Sequence, residues 1–256
     1  MSYASYTDAV LNAYLANSKF QETVIKKQEI LDSITHAVKS VPTSVLFVGF
    51  GPWLMANRYK EVFVTEISNS VKSFLDQNNV KYTYIDANDL GNFSKRFDWV
   101  VAADEYFTFA DSEEQQRAKI STVANLAKDT VVTTLKDYKN QDFKDREFSN
   151  PIAIRNEKNI SLFLEYNNYD YRDKNTWTSW VYEIQDHNLK THGPYSRCTM
   201  YFKQMAKFSL DAGAADFLVH KNLMYKSLIK KNYEHVISIS FKRHYGNQST
   251  STTYNH

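Results

Sequence analysis

The sequence predicts an α/β protein: a Rossmann-like, doubly wound, mostly parallel sheet carrying an inserted antiparallel β region. Three observations lead there. The apolar run Val45-Leu46-Phe47-Val48 ends in Gly49-Phe50-Gly51-Pro52. Short apolar runs then alternate with segments of helical period as far as Leu135, the spacing of a parallel sheet with right-handed crossovers. Finally, the alternation breaks at Lys136 and returns at Phe202.

The first observation carries the most chemistry. The chain has six glycines in 256 residues, against roughly eighteen at average usage of about 7%. Two of the six stand in the octet Val45–Pro52. Glycine costs backbone entropy, so a chain this sparing keeps it where main chain turns sharply or approaches a partner closely. Four apolar residues in a row read as a strand buried on both faces. A buried strand ending in Gly-x-Gly is the form of a nucleotide- or cofactor-binding turn.

Composition bounds the rest. Hydrophobic content of 43% and charge of 23% are those of a globular protein with a sizeable core. A net charge of +2 argues against a strongly electrostatic nucleic-acid binder. The single Cys198 excludes an internal disulfide and a multi-cysteine zinc site, and it suits a reducing cytoplasm. No apolar run reaches the roughly 18 residues of a membrane span, so no membrane partner is expected. Nothing in the sequence fixes the oligomeric state.

Residues 1–43 read as two helices, Tyr6–Asn17 and Lys19–Lys39. The second carries Phe20, Val24, Leu31, Ile34 and Val38 at helical spacing, with Ser18 and Gln21 as a capping box. Residues 44–136 supply most of the sheet. Glu61–Ile67 is the second strand, stopping at Glu66. Ser68 caps a helix that turns Val71, Phe74 and Leu75 inward. Val80–Ile85 is the third strand and ends in Asp86-Ala87-Asn88. Phe97–Ala103 is the fourth and ends in Asp104-Glu105-Tyr106. Ser112 and Gln115 form a second capping box, opening a helix with Ile120, Val123 and Ala127 inward. Thr130–Leu135 is the fifth strand.

Residues 137–200 are polar and read as an insertion over the mouth of the sheet, a lid. Its strands are Ile160–Glu165 and Thr178–Ile184, joined by the Tyr-, Asn- and Asp-rich segment Tyr166–Trp177. The core resumes over residues 201–245. A helix at Phe202–Ala212 is stopped by Gly213. Strands follow at Ala215–His220 and His235–Phe241, with a short helix expected over Asn222–Lys231. Residues 246–256 form a polar tail, expected to be disordered.

These segments together resemble the class I S-adenosylmethionine-dependent methyltransferases. The resemblance rests on Val48-Gly49-Phe50-Gly51 after strand one, Glu66 ending strand two and Asp86-Ala87-Asn88 after strand three. It rests also on Phe97-Asp98-Trp99-Val100-Val101-Ala102-Ala103-Asp104-Glu105 as strand four, and on Ser209–Phe217 before a closing hairpin. It implies an antiparallel C-terminal strand, S-adenosylmethionine as cofactor and a methyl-transfer reaction. The chain departs from the family at two places: Phe47 stands where the first motif carries an acid, and Trp53 where it carries a third glycine. Asp104-Glu105-Tyr106-Phe107 lacks the prolines of enzymes that methylate nucleic-acid amines, which argues for a small-molecule or other polar acceptor.

The resemblance assigns cofactor contacts to Gly49, Phe50, Gly51, Glu66, Ile67, Asp86, Ala87, Asn88 and Asp104. Gly49 and Gly51 bring bare main chain to the donor's amino-acid end, Glu66 holds ribose hydroxyls, and Asp86 with Asn88 edges the adenine. Asx residues are also ordinary turn formers, and a strand-end acid can be merely solvated. Asp104, Glu105 and Tyr106 are the catalytic candidates, leaving the sheet at a carboxyl end where open α/β sheets bind ligands. An adjacent pair of acids can raise one pKa and furnish a base, or can equally serve a helix entry.

Tyr166, Tyr169, Tyr171, Trp177 and Trp180 read as strand packing, with an aromatic lid as the sharper reading. His187 and His192 show no metal spacing, so no metal is expected. Lys226, Lys230 and Lys231 read as a solvated helix face, with a phosphate contact as the sharper reading, so a nucleic-acid partner is open but not favoured. Two further functions fit the same motifs. Gly49-x-Gly51 and Glu66 also suit a nicotinamide-dinucleotide oxidoreductase, with Leu54 at its third glycine. Loss of the motif-one acid and the large insertion suit a non-catalytic scaffold.

Overall fold

Strand β1 (Ser44–Val48) is buried at every position, as its unbroken apolar run requires. Its two faces pack different layers. Leu46 and Val48 join one core cluster, Val45 and Phe47 the other. The same division runs through Val100 and Ala102 against Trp99 and Val101, and through Val131 against Val132. Side-chain alternation thus makes a three-layer molecule, with apolar residues of β1, β4 and β5 on both faces of the sheet.

The computed structural model describes residues 3–16, 20–102, 105–136, 146–148, 152–155, 160–169, 175–185, 187–226 and 231–241. Beside β1 lie β2 (Glu61–Thr65) and β4 (Phe97–Ala102), both parallel to it. β3 (Thr83–Tyr84) pairs with β2, and β5 (Ala127–Lys136) with β4, again in parallel. β12 (Lys231–Ser240) then runs antiparallel to β5, and β11 (Asp216–Lys226) antiparallel to β12. The seven strands stand in the order β11-β12-β5-β4-β1-β2-β3. That is a Rossmann-like sheet with one strand reversed near its C-terminal edge, and the order reverses beside β1.

Helices α2 (Phe20–Val38), α3 (Pro52–Met55) and α4 (Asn69–Gln77) bury Leu31, Ile34, Trp53, Leu54, Val71 and Leu75 against one face. Helices α5 (Glu113–Leu126) and α6 (Phe202–Asp211) bury Ile120, Val123, Met205 and Phe208 against the other. At the amino end of the sheet, Asp98 accepts hydrogen bonds from the backbone of Thr43 and Ser44 and from Lys128 Nζ, at 2.8, 3.0 and 3.1 Å. Burial pushes the Asp98 carboxyl up, but those donors more than offset it and hold the group below the usual range. One carboxylate thereby fastens the starts of β1, β4 and β5.

The insertion forms its own antiparallel sheet, ordered β10-β9-β8-β6, with β7 also paired to β8. Its strands are β6 (Arg146–Phe148), β7 (Ile152–Arg155), β8 (Ile160–Tyr169), β9 (Thr176–Gln185) and β10 (Asn188–Cys198). Helix α1 (Tyr3–Ala16) lies against α4 and against β7, β9 and β10.

Several expectations need correction. The helix expected over Asn222–Lys231 is strand: β11 continues to Lys226, β12 begins at Lys231, and 227–230 lie outside the described residues. Lys226 and Lys231 are register partners across that hairpin, so they share no helix face, and Lys230 falls outside. The third strand shrinks from six residues to the pair Thr83–Tyr84, at the sheet's edge with one neighbour. Ala127 opens β5 instead of closing α5. β8 and β9 extend into the segment expected to be a loop, and β10 was not foreseen. Ser112 does cap α5, accepting from Gln115 N at 3.3 Å, while Gln115 Oε1 accepts from Asp111 N at 2.9 Å, one residue before the cap. Ser18 and the tail 246–256 lie outside the described residues.

Leu46 is fully buried in the central strand. Leu46→Ala is expected to lower the unfolding free energy by about 2–5 kcal/mol, read as a lower urea midpoint.

Candidate functional site

Three neighbouring strands leave the sheet through left-handed backbone. Gly49, after β1, has φ 91°; Glu66, after β2, has φ 56°; Glu105, beyond β4, has φ 61°. Glycine adopts this region freely, whereas for glutamate it costs of order 1–3 kcal/mol. Two strained glutamates flanking a glycine, beside the strand where the sheet order reverses, mark the crevice in which open α/β sheets bind ligands. Gly49 N donates to Thr65 O at 2.9 Å, which holds the β1 and β2 exits side by side. Gly51 has extended backbone and precedes Pro52, the first residue of α3.

Phe50 and Trp53 are almost wholly buried in the α2–α4 layer, away from the crevice. Phe50 stacks edge-on with Phe74, ring centroids 5.8 Å apart. Trp53 lies under the Lys27 ammonium, 4.2 Å from its ring. Phe47, in the place of the motif-one acid, is buried in the same layer. Ile67 is buried there too, directly after Glu66.

The Tyr106 phenol and the Glu66 carboxylate lie close enough for each to influence the other's protonation. Burial raises its pKa, with the Lys119 ammonium opposing and the Asp86 carboxylate adding to the rise. Tyr106 is 5% exposed, and burial together with the Glu66 charge pushes its phenol far above the ordinary range. Lys119, on α5, places its Nζ 4.3 Å from the Tyr106 ring centroid. Burial lowers Lys119 from the ordinary 10.5 to about 8; Glu66 counters that shift, and the Arg197 guanidinium adds to it. Glu66, read from the sequence as a ribose anchor, and Tyr106, read as an acceptor-side group, thus lie side by side; Lys119 beside them is not among the residues singled out from the sequence.

Asp86 and Asn88 are exposed after β3. Asp86 Oδ1 accepts from Asn88 N and Asn88 Nδ2, both at 2.9 Å, and so starts the 3-10 turn Ala87–Asn92. That is the turn-forming role Asx residues commonly fill. Asp104 lies outside the described residues.

The insertion adds a residue that sequence reasoning missed. Arg197, on β10, is fully buried. Its Nη1 donates to Glu105 Oε2 and to Thr108 Oγ1, both at 3.1 Å. Its Nη2 donates to Glu165 Oε1 at 3.4 Å, and its Nε to Ser179 Oγ at 3.3 Å. Phe109, Tyr6 and Trp177 present ring faces to the guanidinium at 3.6, 4.7 and 4.8 Å. A planar fork of donors is what this enclosure demands. Gln116 adds a second tie: its buried amide donates to Cys198 O at 2.7 Å, fixing the end of β10 to α5. A charged residue in a strand of mixed polarity gives no pattern that announces burial.

The five insertion aromatics do not act as one group. Trp177 and Tyr169 stack on the face bearing Arg197, 5.1 Å apart. Tyr166 and Trp180 stack on the opposite face, 5.4 Å apart, with Phe148 4.6 Å from Tyr166. Tyr171 lies outside the described residues. His187 sits in the turn before β10, and His192 on β10 has its Nε2 3.5 Å from Glu183 Oε2.

No protein-family model and no curated protein sequence matches the chain. Solved structures do match in fold. DesVI of Streptomyces venezuelae superposes with a TM-score of 0.68 at 14% identity, over 91% of this chain and 97% of that one. CalS10 of Micromonospora echinaspora, an amino pentose methyltransferase solved with S-adenosylmethionine bound, gives 0.66 at 13%, over 90% and 95%. An S-adenosylmethionine-dependent methyltransferase of Clostridium acetobutylicum gives 0.62 at 10%, over 92% and 96%. The fold is therefore that of the class I S-adenosylmethionine-dependent methyltransferases, across nearly the whole length of those proteins.

Two expectations follow from the buried charges. Arg197→Met leaves Glu105 and Glu165 without their shared cation and is expected to lower the unfolding free energy by about 3–5 kcal/mol, measured by urea denaturation; Arg197→Lys recovers only part of that. Lys119 holds fewer protons folded than unfolded between about pH 8 and 10.5, so its contribution to stability rises across that window. Accordingly the melting-temperature difference between Lys119→Met and wild type is expected to favour the variant most below pH 8 and to shrink towards pH 10.

Proposed function

We propose that the chain is an S-adenosylmethionine-dependent methyltransferase acting on a small-molecule or other polar acceptor. The carrying observation is the row of left-handed strand exits, Glu66, Gly49 and Glu105, at the switch point of this sheet. In this reading Gly49 and Gly51 offer bare main chain, Glu66 accepts the ribose hydroxyls, and Asp86, Ala87 and Asn88 border the adenine. Phe50 and Ile67 back the turn from the buried side, and Asp104 completes the cofactor set.

When bound, the cofactor supplies a methyl group on a sulfonium, an activated leaving group. The chain's own task is then to align the acceptor and exclude water, a proximity effect. Glu105 and Tyr106 sit on the acceptor side. Arg197 holds the Glu105 carboxylate in one orientation beyond β4, and the Thr108 hydroxyl fixes the main chain of the same residue by donating to Glu105 O at 2.8 Å. A general base helps where the acceptor is a hydroxyl or an ammonium. CalS10, an amino pentose methyltransferase, supports a small acceptor for a chain of the same fold. The antiparallel β12 between β5 and β11 weighs against the dinucleotide oxidoreductase, whose sheet is parallel in the order 3-2-1-4-5-6.

A second reading keeps one observation of its own. Tyr3 covers Gly49, and a non-catalytic scaffold has no need of an open crevice. Titration calorimetry with S-adenosylhomocysteine separates the two. The methyltransferase reading expects saturable binding that Glu66→Ala weakens by about 100-fold or more, since hydrogen bonds to a charged group contribute about 1.5–3 kcal/mol each. Equal affinity for wild type and Glu66→Ala would overturn the assignment of that carboxylate.

A further inference from the structure

We infer that the donor crevice is closed by two of the chain's own tyrosines, Tyr3 and Tyr106, and that α1 is a gate that lifts to admit a nucleoside donor. The inference rests on the methyltransferase reading of the crevice. Both of its anchor points are engaged by the protein itself. At the first, the Tyr3 ring lies directly on the main chain of Gly49. A Cβ built there would overlap Tyr3 Cε1 and stand 3.1 Å from Cδ1 and Cζ. The bare surface that glycine provides is thus taken up by an aromatic ring. At the second, the buried Tyr106 side chain lies beside Glu66, the carboxylate read as the sugar anchor.

The two rings form one plug. Tyr3 and Tyr106 meet edge to face, centroids 5.4 Å apart with 87° between planes. Tyr3 packs likewise on Phe109 at 4.7 Å and 80°. Tyr3 and Tyr106 are 4% and 5% exposed. A ligand resting on the Gly49 main chain and the Tyr3 ring cannot share that volume, because close-packed interiors tolerate no such overlap. Glu66 could accept from a ligand beside Tyr106, so Tyr3 is the element that excludes.

α1 buries Tyr3, Thr7, Ala9 and Leu11, so lifting it exposes them, and its polar fastenings include two long-range hydrogen bonds. Ser68 Oγ, at the cap of α4, donates to Asp8 Oδ1 at 3.1 Å in an exposed position. Tyr195 donates its hydroxyl to Ser5 O at 3.3 Å. One helical turn beyond Tyr3, Tyr6 covers the Arg197 guanidinium at 4.7 Å. Lifting α1 therefore uncovers the Gly49 turn and one face of the Arg197 cluster together, so the donor and acceptor sides open in one movement. Conformational gating of this kind lowers apparent affinity by the fraction of molecules that are competent.

The test compares S-adenosylhomocysteine binding to the full chain and to Tyr3→Ala, by calorimetry for affinity and stopped-flow tryptophan fluorescence for association. If about nine-tenths of molecules are closed, Tyr3→Ala binds about tenfold more tightly and associates faster, while Tyr3→Phe, which keeps the ring, behaves as wild type. Unchanged or weaker binding by Tyr3→Ala overturns the gate and leaves the methyltransferase reading standing. Absence of binding to wild type and Tyr3→Ala alike, both folded by circular dichroism, overturns that reading and the gate with it. Should Tyr3→Ala not fold, the pair Asp8→Cys and Ser68→Cys serves in its place. Oxidation by diamide then pins α1 down and abolishes binding, and dithiothreitol restores it; equal binding in both states overturns the gate.

Discussion

A guanidinium cannot sit in a protein interior without acceptors for its donors, and Arg197 has no exposed surface at all. That constraint governs how the inserted sheet meets the core. Glu105 and Thr108 come from the turn between β4 and α5, Glu165 from β8, Ser179 from β9 and the arginine itself from β10. Three strands of the insertion and the exit of a central core strand must therefore converge on one point. Carboxylates on two sides and rings above and below also fix the plane of the guanidinium. A lysine would satisfy the charge but not the fork, so the geometry selects the residue as well as its sign.

The strand exits impose a second constraint. Glu66 and Glu105 carry backbone that glutamate avoids, and each costs stability that the buried strands behind them supply. β1, β2 and β4 are held by continuous parallel registers, with Asp98 tying β1, β4 and β5 at the far end. Left-handed backbone also occurs at Lys39 and Asn79, in the turns that lead into β1 and β3, but at the opposite end of the sheet it recurs on three neighbouring strand exits. The irregularity falls on acids, in the positions where a doubly wound sheet presents ligand-binding groups. The two strained glutamates are thus among the residues proposed to bind the donor and acceptor.

The fold was legible because its signals are local. Val45–Val48 and Phe97–Ala102 are too apolar for a solvated strand, and Ser68 and Ser112 cap α4 and α5. Gly49, Glu66, Glu105 and Tyr106 could be named because each follows an apolar run. What escaped notice depends on pairs far apart in the chain. Arg197 and Glu105 are separated by 92 residues, and neither strand pattern hints at the other. Lys119 reads as an outward residue of α5 until Glu66 and Tyr106 appear beneath it. The first half of β11 was expected as a strand, but its second half, from Asn222, reads as helix because Leu223, Met224 and Tyr225 favour either state; pairing with β12 decides it. α1 was placed three residues late, and with it went Tyr3, whose partners lie on distant elements.

The tyrosine plug follows from the same physics as the candidate site. A crevice made of bare main chain and a half-buried carboxylate is costly to leave unfilled: burial already raises the Glu66 pKa against the pull of Lys119. Tyrosine meets both demands, since its ring fills apolar volume while its hydroxyl serves a polar partner. Tyr106 sets its phenol beside Glu66, and Tyr3 lays its ring on Gly49. A purely apolar side chain would strand the carboxylate, and a short polar one would leave a void. The features proposed to recognise a nucleoside, a flat ring bearing hydroxyls, are those that make a tyrosine a good internal substitute. In this chain the complementarity of the crevice is therefore written twice, once in the residues that line it and once in the residues that fill it.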